Sequence, residues 1–159
     1  MLTIKKMATL ALLSCFAFGL PAHAQSTKVT AAMTTLKDEL GKLGAPKAEG
    51  DNLSFGASKI NDNFTVVDAI KAKHGGTATV FIKKAGNYVR ISTNVMKNNV
   101  RAVGTPLDPA GPAKAAIDQG KAFYGPVDIL GKLYETGYEP IRNEQGETIG
   151  IYYVGFSLE

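Results

Sequence analysis

Residues 77–95 read Thr-Ala-Thr-Val-Phe-Ile-Lys-Lys-Ala-Gly-Asn-Tyr-Val-Arg-Ile-Ser-Thr-Asn-Val. Thr77 to Lys83 is β-branched and apolar, Lys84-Ala85-Gly86-Asn87 is a turn, and Tyr88 to Val95 is a second run of the same kind. Two such runs joined by a Gly-containing turn spell a β-hairpin. Side chains alternate across a strand, so Val89, Ile91, Thr93 and Val95 are expected on one face. Tyr88, Arg90, Ser92 and Asn94 are expected on the other.

On the N-terminal side of the hairpin, Val66 to Lys73 reads as one or two helical turns closed by Gly75-Gly76. Residues 46–64 are rich in Gly, Asn, Asp and Ser and read as loop with one or two short strands. Further back, Val29, Met33, Leu36, Leu40 and Leu43 recur at helical spacing. They predict one long helix with a single apolar stripe, capped by Ser26 or Thr27 and ended by Gly44 and Pro46.

On the C-terminal side, a short polar crossover reaches Thr105-Pro106-Leu107-Asp108-Pro109, and Pro112 opens a small helix through Gln119, stopped by Gly120. Three strands follow, at about 123–130, 133–142 and 147–158, with turns at Gly131-Lys132 and Asn143-Glu144-Gln145-Gly146. The sum is α+β: a long N-terminal helix packed on a five-stranded antiparallel sheet.

The 159 residues and their 45% apolar and 20% charged content fit one ordinary globular domain. Residues 1–24 read as a secretory signal. Lys5 and Lys6 precede an almost unbroken apolar run from Met7 to Leu20, Pro21 breaks it, and Ala22-His23-Ala24 offers small residues for cleavage before Gln25. The run is shorter than the roughly 20 residues needed to span a bilayer core. The expected product is a periplasmic domain over residues 25–159. The alternatives are a lipoprotein cut before Cys15, after Leu12-Leu13-Ser14, and an uncleaved anchor, which the shortness of the run disfavours. Without residues 1–24 the formal charge falls from +4 to +2, too little to argue for nucleic acid without a clustered basic patch. The remaining chain has no Cys and a single His, His74, so a His/Cys metal site within one chain is not expected. No Gly-x-Ser-x-Gly elbow, phosphate-binding loop or dinucleotide-binding turn occurs, and the expectation is no enzyme and no cofactor.

A polar set on apolar strands stands out instead. Arg90 interrupts an apolar and hydroxylated strand, and five of the six tyrosines lie between positions 124 and 153. Tyr134, Thr136 and Tyr138 share a strand face by parity, while Tyr152 and Tyr153 point opposite ways. A guanidinium fork with Tyr and Ser/Thr hydroxyls on a concave sheet face is a chemistry for holding a small carboxylate. The plain alternative is a solvated arginine beside tyrosines that merely cover a sheet.

Seven segments carry a family resemblance: Thr77–Ile82, Val89–Val95, Arg101–Asp108, Lys121–Gly125, Ile129–Lys132, Tyr138–Ile141 and Ile149–Gly155. In this order the chain from about residue 28 to its end resembles a Cache domain, of the single Cache 3/Cache 2 fusion type found outside the membrane in bacterial chemoreceptors and sensor kinases. The resemblance implies a PAS-like fold and extracytoplasmic binding of a small organic acid or amino acid. It implies ligand contacts from Arg90 and Tyr138, with Arg101, Tyr124 and Tyr134 as weaker carry-overs; Ser92 joins the expected set because strand parity puts its hydroxyl on the face of Arg90. Most relatives continue into a transmembrane helix and a cytoplasmic output. This chain stops at Glu159, so the expected partner is a separate membrane-bound receptor or kinase. Asn98-Asn99 stands where relatives often carry an Asp-Gly turn. A protein-interaction or structural module with a vestigial pocket is the other function class consistent with these residues.

Overall fold

The computed structural model describes residues 26–159; the expected signal segment, the cleavage site before Gln25 and Cys15 lie outside them. The first helix, α1, spans Thr27–Gly41 and buries Val29, Ala32, Met33, Leu36 and Leu40. The apolar stripe therefore packs as its spacing predicts. Leu43, counted in that stripe, falls beyond the helix end and is 38% exposed. Gly44 and Gly56 set that end. A Cβ on Gly56 would sit 2.1 Å from the Leu43 carbonyl oxygen, so only glycine lets the two segments approach this closely.

Residues 46–59 hold more strand than expected: β1 (Pro46–Glu49), β2 (Asn52–Phe55) and β3 (Ser58–Lys59) form a small antiparallel sheet in that order. Leu53 and Phe55 anchor it in the core beneath α1. Its polar residues hide these strands from a reading based on apolar runs, because one face is solvated. The second helix, α2, spans Thr65–His74 and ends on Gly75 in the left-handed conformation, φ 77°.

The main sheet contains β4 (Thr77–Lys84), β5 (Asn87–Thr93), β8 (Phe123–Ile129), β9 (Lys132–Arg142) and β10 (Thr148–Ser157), in the order β5-β4-β10-β9-β8. All four pairings are antiparallel. This is the expected α+β, PAS-like arrangement of five strands. Between β5 and β8 the crossover folds a further hairpin, β6 (Met96–Lys97) and β7 (Val100–Arg101), and then α3 (Pro112–Asp118). Asn98 and Asn99 turn the small hairpin at φ 51° and 61°, the left-handed region that Asn tolerates better than most residues. The β8–β9 turn falls on Leu130-Gly131, one residue earlier than the expected Gly131-Lys132.

The sheet is covered on both faces. On one side α1, α2 and the small sheet pack against Val80, Ile82, Ile91, Tyr152 and Val154. On the other, α3 and the crossover cover Phe81, Tyr88, Tyr138, Ile151 and Tyr153. Tyr152 and Tyr153 thus point to opposite faces, as their adjacency demands. The parity expected for β5 holds only as far as Ile91. Val80 pairs with Ser92 but Phe81 pairs with Arg90, so Ile91 is an extra residue in a β-bulge. Beyond the bulge the alternation inverts. Ser92 turns to the helical side and donates to the Asn63 carbonyl at 2.6 Å, and Asn94 donates to the Val67 carbonyl of α2 at 2.6 Å. Thr93 and Val95 take the face of Arg90 instead, Thr93 through a 2.6 Å hydroxyl contact with Thr79 and Val95 in the core beneath α3.

Candidate functional site

Arg90 sits in the middle of β5, the strand at one edge of the main sheet. That edge is not free. Residues 104–107 run along it as a strap. The Arg90 N–H donates to the Thr105 carbonyl at 3.0 Å, the Gly104 N–H to the Arg90 carbonyl at 2.8 Å, and the Leu107 N–H to the Tyr88 carbonyl at 2.8 Å. Strap and sheet together bury Arg90 until it is only 5% exposed.

Inside, the guanidinium is fixed on one side only. Nη1 donates to Thr105 Oγ1 at 2.8 Å and to the Pro106 carbonyl at 3.0 Å. Its carbon lies 5.0 Å from the ring centre of Phe81, its cross-strand partner. Nε is buried without a hydrogen-bond partner, and among the described residues no carboxylate pairs with the cation. Burial pulls the guanidinium below its ordinary range, with nearby Tyr138 and Tyr153 offsetting part of that.

Tyr138, in β9, points to the same side. Its ring packs against Tyr153 at 4.9 Å and Phe123 at 6.2 Å, and its hydroxyl is buried with no partner. Burial drives that phenol well above its ordinary value, so it stays a neutral donor. Arg90 Nε and Tyr138 Oη are the two buried, unpartnered side-chain polar atoms among the described residues. Both residues line one cavity of about 270 Å³. Its walls are Pro106 and Leu107 of the strap with Asp108 just after it, and Val127 to Leu130 at the end of β8 and the start of the following turn. Three larger hollows lie elsewhere: about 550 Å³ on the exposed side of α1, about 510 Å³ between residues 45–48 and 143–145, and about 460 Å³ between α1 and α2. None of the three is lined by a buried side-chain polar atom that lacks a partner, so the smaller cavity is the better candidate.

The chemistry of that cavity follows from the atoms left free. An arginine presents Nε–H and one Nη–H as a parallel pair that matches the two oxygens of a carboxylate. With Nη1 engaged by the strap, the Nε/Nη2 edge is the one available. A buried cation without a counter-charge is costly, and an entering anion with two oxygens would relieve it. Among the described residues no group of three or more His, Cys, Asp or Glu is placed to hold a metal ion.

The other residues predicted for the site are elsewhere. Ser92 is on the opposite face because of the bulge. Arg101 pairs both its Nη atoms with the Asp68 carboxylate at 2.8 Å, donates to the Thr93 carbonyl at 2.9 Å and stacks 4.2 Å above Phe64. It ties the β6–β7 hairpin to α2. Tyr124 faces α1, where its hydroxyl donates to Glu139 at 2.5 Å and Glu139 in turn accepts from Lys37. Burial, then that bond, raises the Tyr124 phenol. Tyr134 shares the face of Tyr138 but is not part of the cavity wall. His74 bridges α2 to Thr35 of α1 at 2.9 Å. Sequence reasoning missed Asp108, Asp128 and Leu130, all on the cavity wall. The one signal for them was their place at turns, which the pattern of apolar residues does not weigh.

The family model described as single Cache domain 3 matches residues 58–159, from the end of the small sheet through β10. No curated protein matches the chain. Cache domains are ligand-binding sensor modules, typically extracellular or periplasmic, and the matched segment contains both Arg90 and Tyr138. With that match and the PAS-like sheet, the chain belongs to the single Cache domain family.

Proposed function

We propose that the domain is a periplasmic sensing or carrying module for a small carboxylate, an organic acid or an amino acid. The observation that carries this reading is the buried Arg90, whose Nε lacks a partner while the Tyr138 hydroxyl lacks one in the same cavity. The carboxylate would accept from the Nε/Nη2 edge and from Tyr138. A cavity of about 270 Å³ suits a ligand of few heavy atoms. A membrane-bound receptor or kinase is the kind of partner that would read the bound state; among the described residues no helix is long and apolar enough to cross a membrane.

The test is thermal unfolding with a panel of small carboxylates. A binder at 100 times its Kd adds about 2.7 kcal/mol of stability. Arg90→Ala should fold and lose that stabilisation. One observation favours a second reading, an interaction or structural module: Arg90 already holds the strap through Thr105 and Pro106. A wild type that no carboxylate stabilises would support it. Export is tested separately, by the intact mass of the protein recovered from the periplasm. The expected product begins at Gln25; a lipidated product beginning at Cys15 would place the domain on a membrane.

A further inference from the structure

The β8–β9 turn is made of Leu130 and Gly131, which lie between the paired residues Ile129 and Lys132. Both have positive φ, 55° and 89°, as a two-residue turn of this kind requires. Gly is at ease there. Leucine is not, because its Cβ crowds the backbone in the left-handed region, where Asn, Asp or Gly is favoured. The turn is nonetheless held in place: the Gly131 N–H donates to Asp128 Oδ1 at 2.8 Å. Leu130 is also 41% exposed, so it gains little from packing in the free protein.

A residue that is strained in its backbone and poorly buried is unexplained by stability. Its position supplies a reason. Leu130 lines the same cavity as Arg90 and Tyr138. Those two are buried and form the floor; Leu130, Asp108 and Asp128 are exposed and form the mouth. Beside Leu130 the wall continues with Val127.

We infer that Leu130 is a specificity-determining residue: it closes the mouth of the cavity over an uncharged, apolar tail of a monocarboxylate whose head lies on Arg90. This rests on the carboxylate reading above. A tail leaving Arg90 meets leucine and valine side chains and then the Asp108 and Asp128 carboxylates. Apolar carbon is favoured there and a second negative charge is repelled. Covering the tail gives Leu130 the burial it lacks in the free state.

The experiment is calorimetric titration of acetate, butyrate, hexanoate and succinate into the wild type, Leu130→Asn and Leu133→Asn. Leu133 is a control, exposed on the same hairpin but absent from the cavity wall. In the wild type, affinity should rise along the monocarboxylate series by up to about fourfold per buried methylene, and succinate should bind more weakly than butyrate. Leu130→Asn should melt about 3–5 °C higher without ligand, because Asn tolerates the turn. It should also flatten the rise with tail length while leaving acetate almost unchanged. Leu133→Asn should keep the full series. Equal tail dependence in Leu130→Asn and wild type overturns the specificity role and leaves the carboxylate reading standing. A wild type that binds acetate and butyrate equally does the same. A wild type that binds none of the four acids removes the carboxylate reading, and this inference with it.

Discussion

The two faces of the main sheet are both covered, but they are finished differently. The helical face is mainly aliphatic, with Phe55 and Tyr152 among its aromatics: Val80, Ile82 and Val154 meet Met33, Leu36 and Leu40 of α1. Its buried polar groups are bonded, as with Ser92 to Asn63 and Asn94 to Val67. The other face is aromatic and incomplete: Phe81, Tyr88, Tyr138 and Tyr153 surround an arginine, and two buried polar atoms there lack partners. Leaving such atoms unpaired costs about 1–3 kcal/mol each, more for a charged group. Both faces carry a buried core, but only the second leaves polar atoms that, on the proposed carboxylate reading, an entering ligand would satisfy.

The largest expected effect tests the complete face. Leu36→Ala removes a fully buried side chain from the contact between α1 and the sheet and should cost about 2–5 kcal/mol in denaturant unfolding. A loss below about 1 kcal/mol would mean that α1 is peripheral, and the contrast between the faces would fail. The next effect has the opposite sign. Tyr138→Phe deletes an unpartnered buried hydroxyl, so the free protein should gain about 1 kcal/mol while carboxylate binding weakens. A loss of stability would show that the hydroxyl is satisfied in the free protein.

The smallest effect sharpens the contrast at the rim of the incomplete face. Asp118 accepts from Lys114 and from the Tyr88 hydroxyl at 3.1 Å. Chiefly the lysine, then the tyrosine, holds its carboxyl below the ordinary value of 3.8, against some desolvation. A carboxylate with a lowered folded pKa adds stability above its unfolded value, and that stability is lost as pH falls through the folded one. Unfolding midpoints taken from pH 5 downward should thus fall less steeply for Asp118→Asn than for wild type. Asp118 is 41% exposed, so solvent screens the pair and the difference should be small. In the alkaline range the Tyr88 phenol, raised to about 12 by burial and then by Asp118, should titrate late in an absorbance scan.

Much of the architecture was legible in the order of residues because it rests on short-range rules. The stripe from Val29 to Leu40 forms a helix and buries it; alternating runs pair around Gly-containing turns; Tyr152 and Tyr153, being adjacent in a strand, must diverge. The seven family segments likewise lie where the sheet and its crossover form. What escaped that reading shares one cause, dependence on contacts distant in sequence. The bulge at Ile91 is set by how β5 registers on β4, and a single extra residue moved Ser92 off the face of Arg90. Arg101 and Tyr124 carry the right chemistry for an anion site, yet Asp68 and Glu139 engage them first. Asp108, Asp128 and Leu130 come to the cavity only because the strap and the β8–β9 turn meet there. Side-chain chemistry and local periodicity are properties of the chain, and they determined the helices, the five strands of the main sheet and the presence of an arginine among tyrosines, but not whether that arginine is buried. Which donors remain unpaired, and around which cavity, was decided by the tertiary structure, because pairing depends on distance in space.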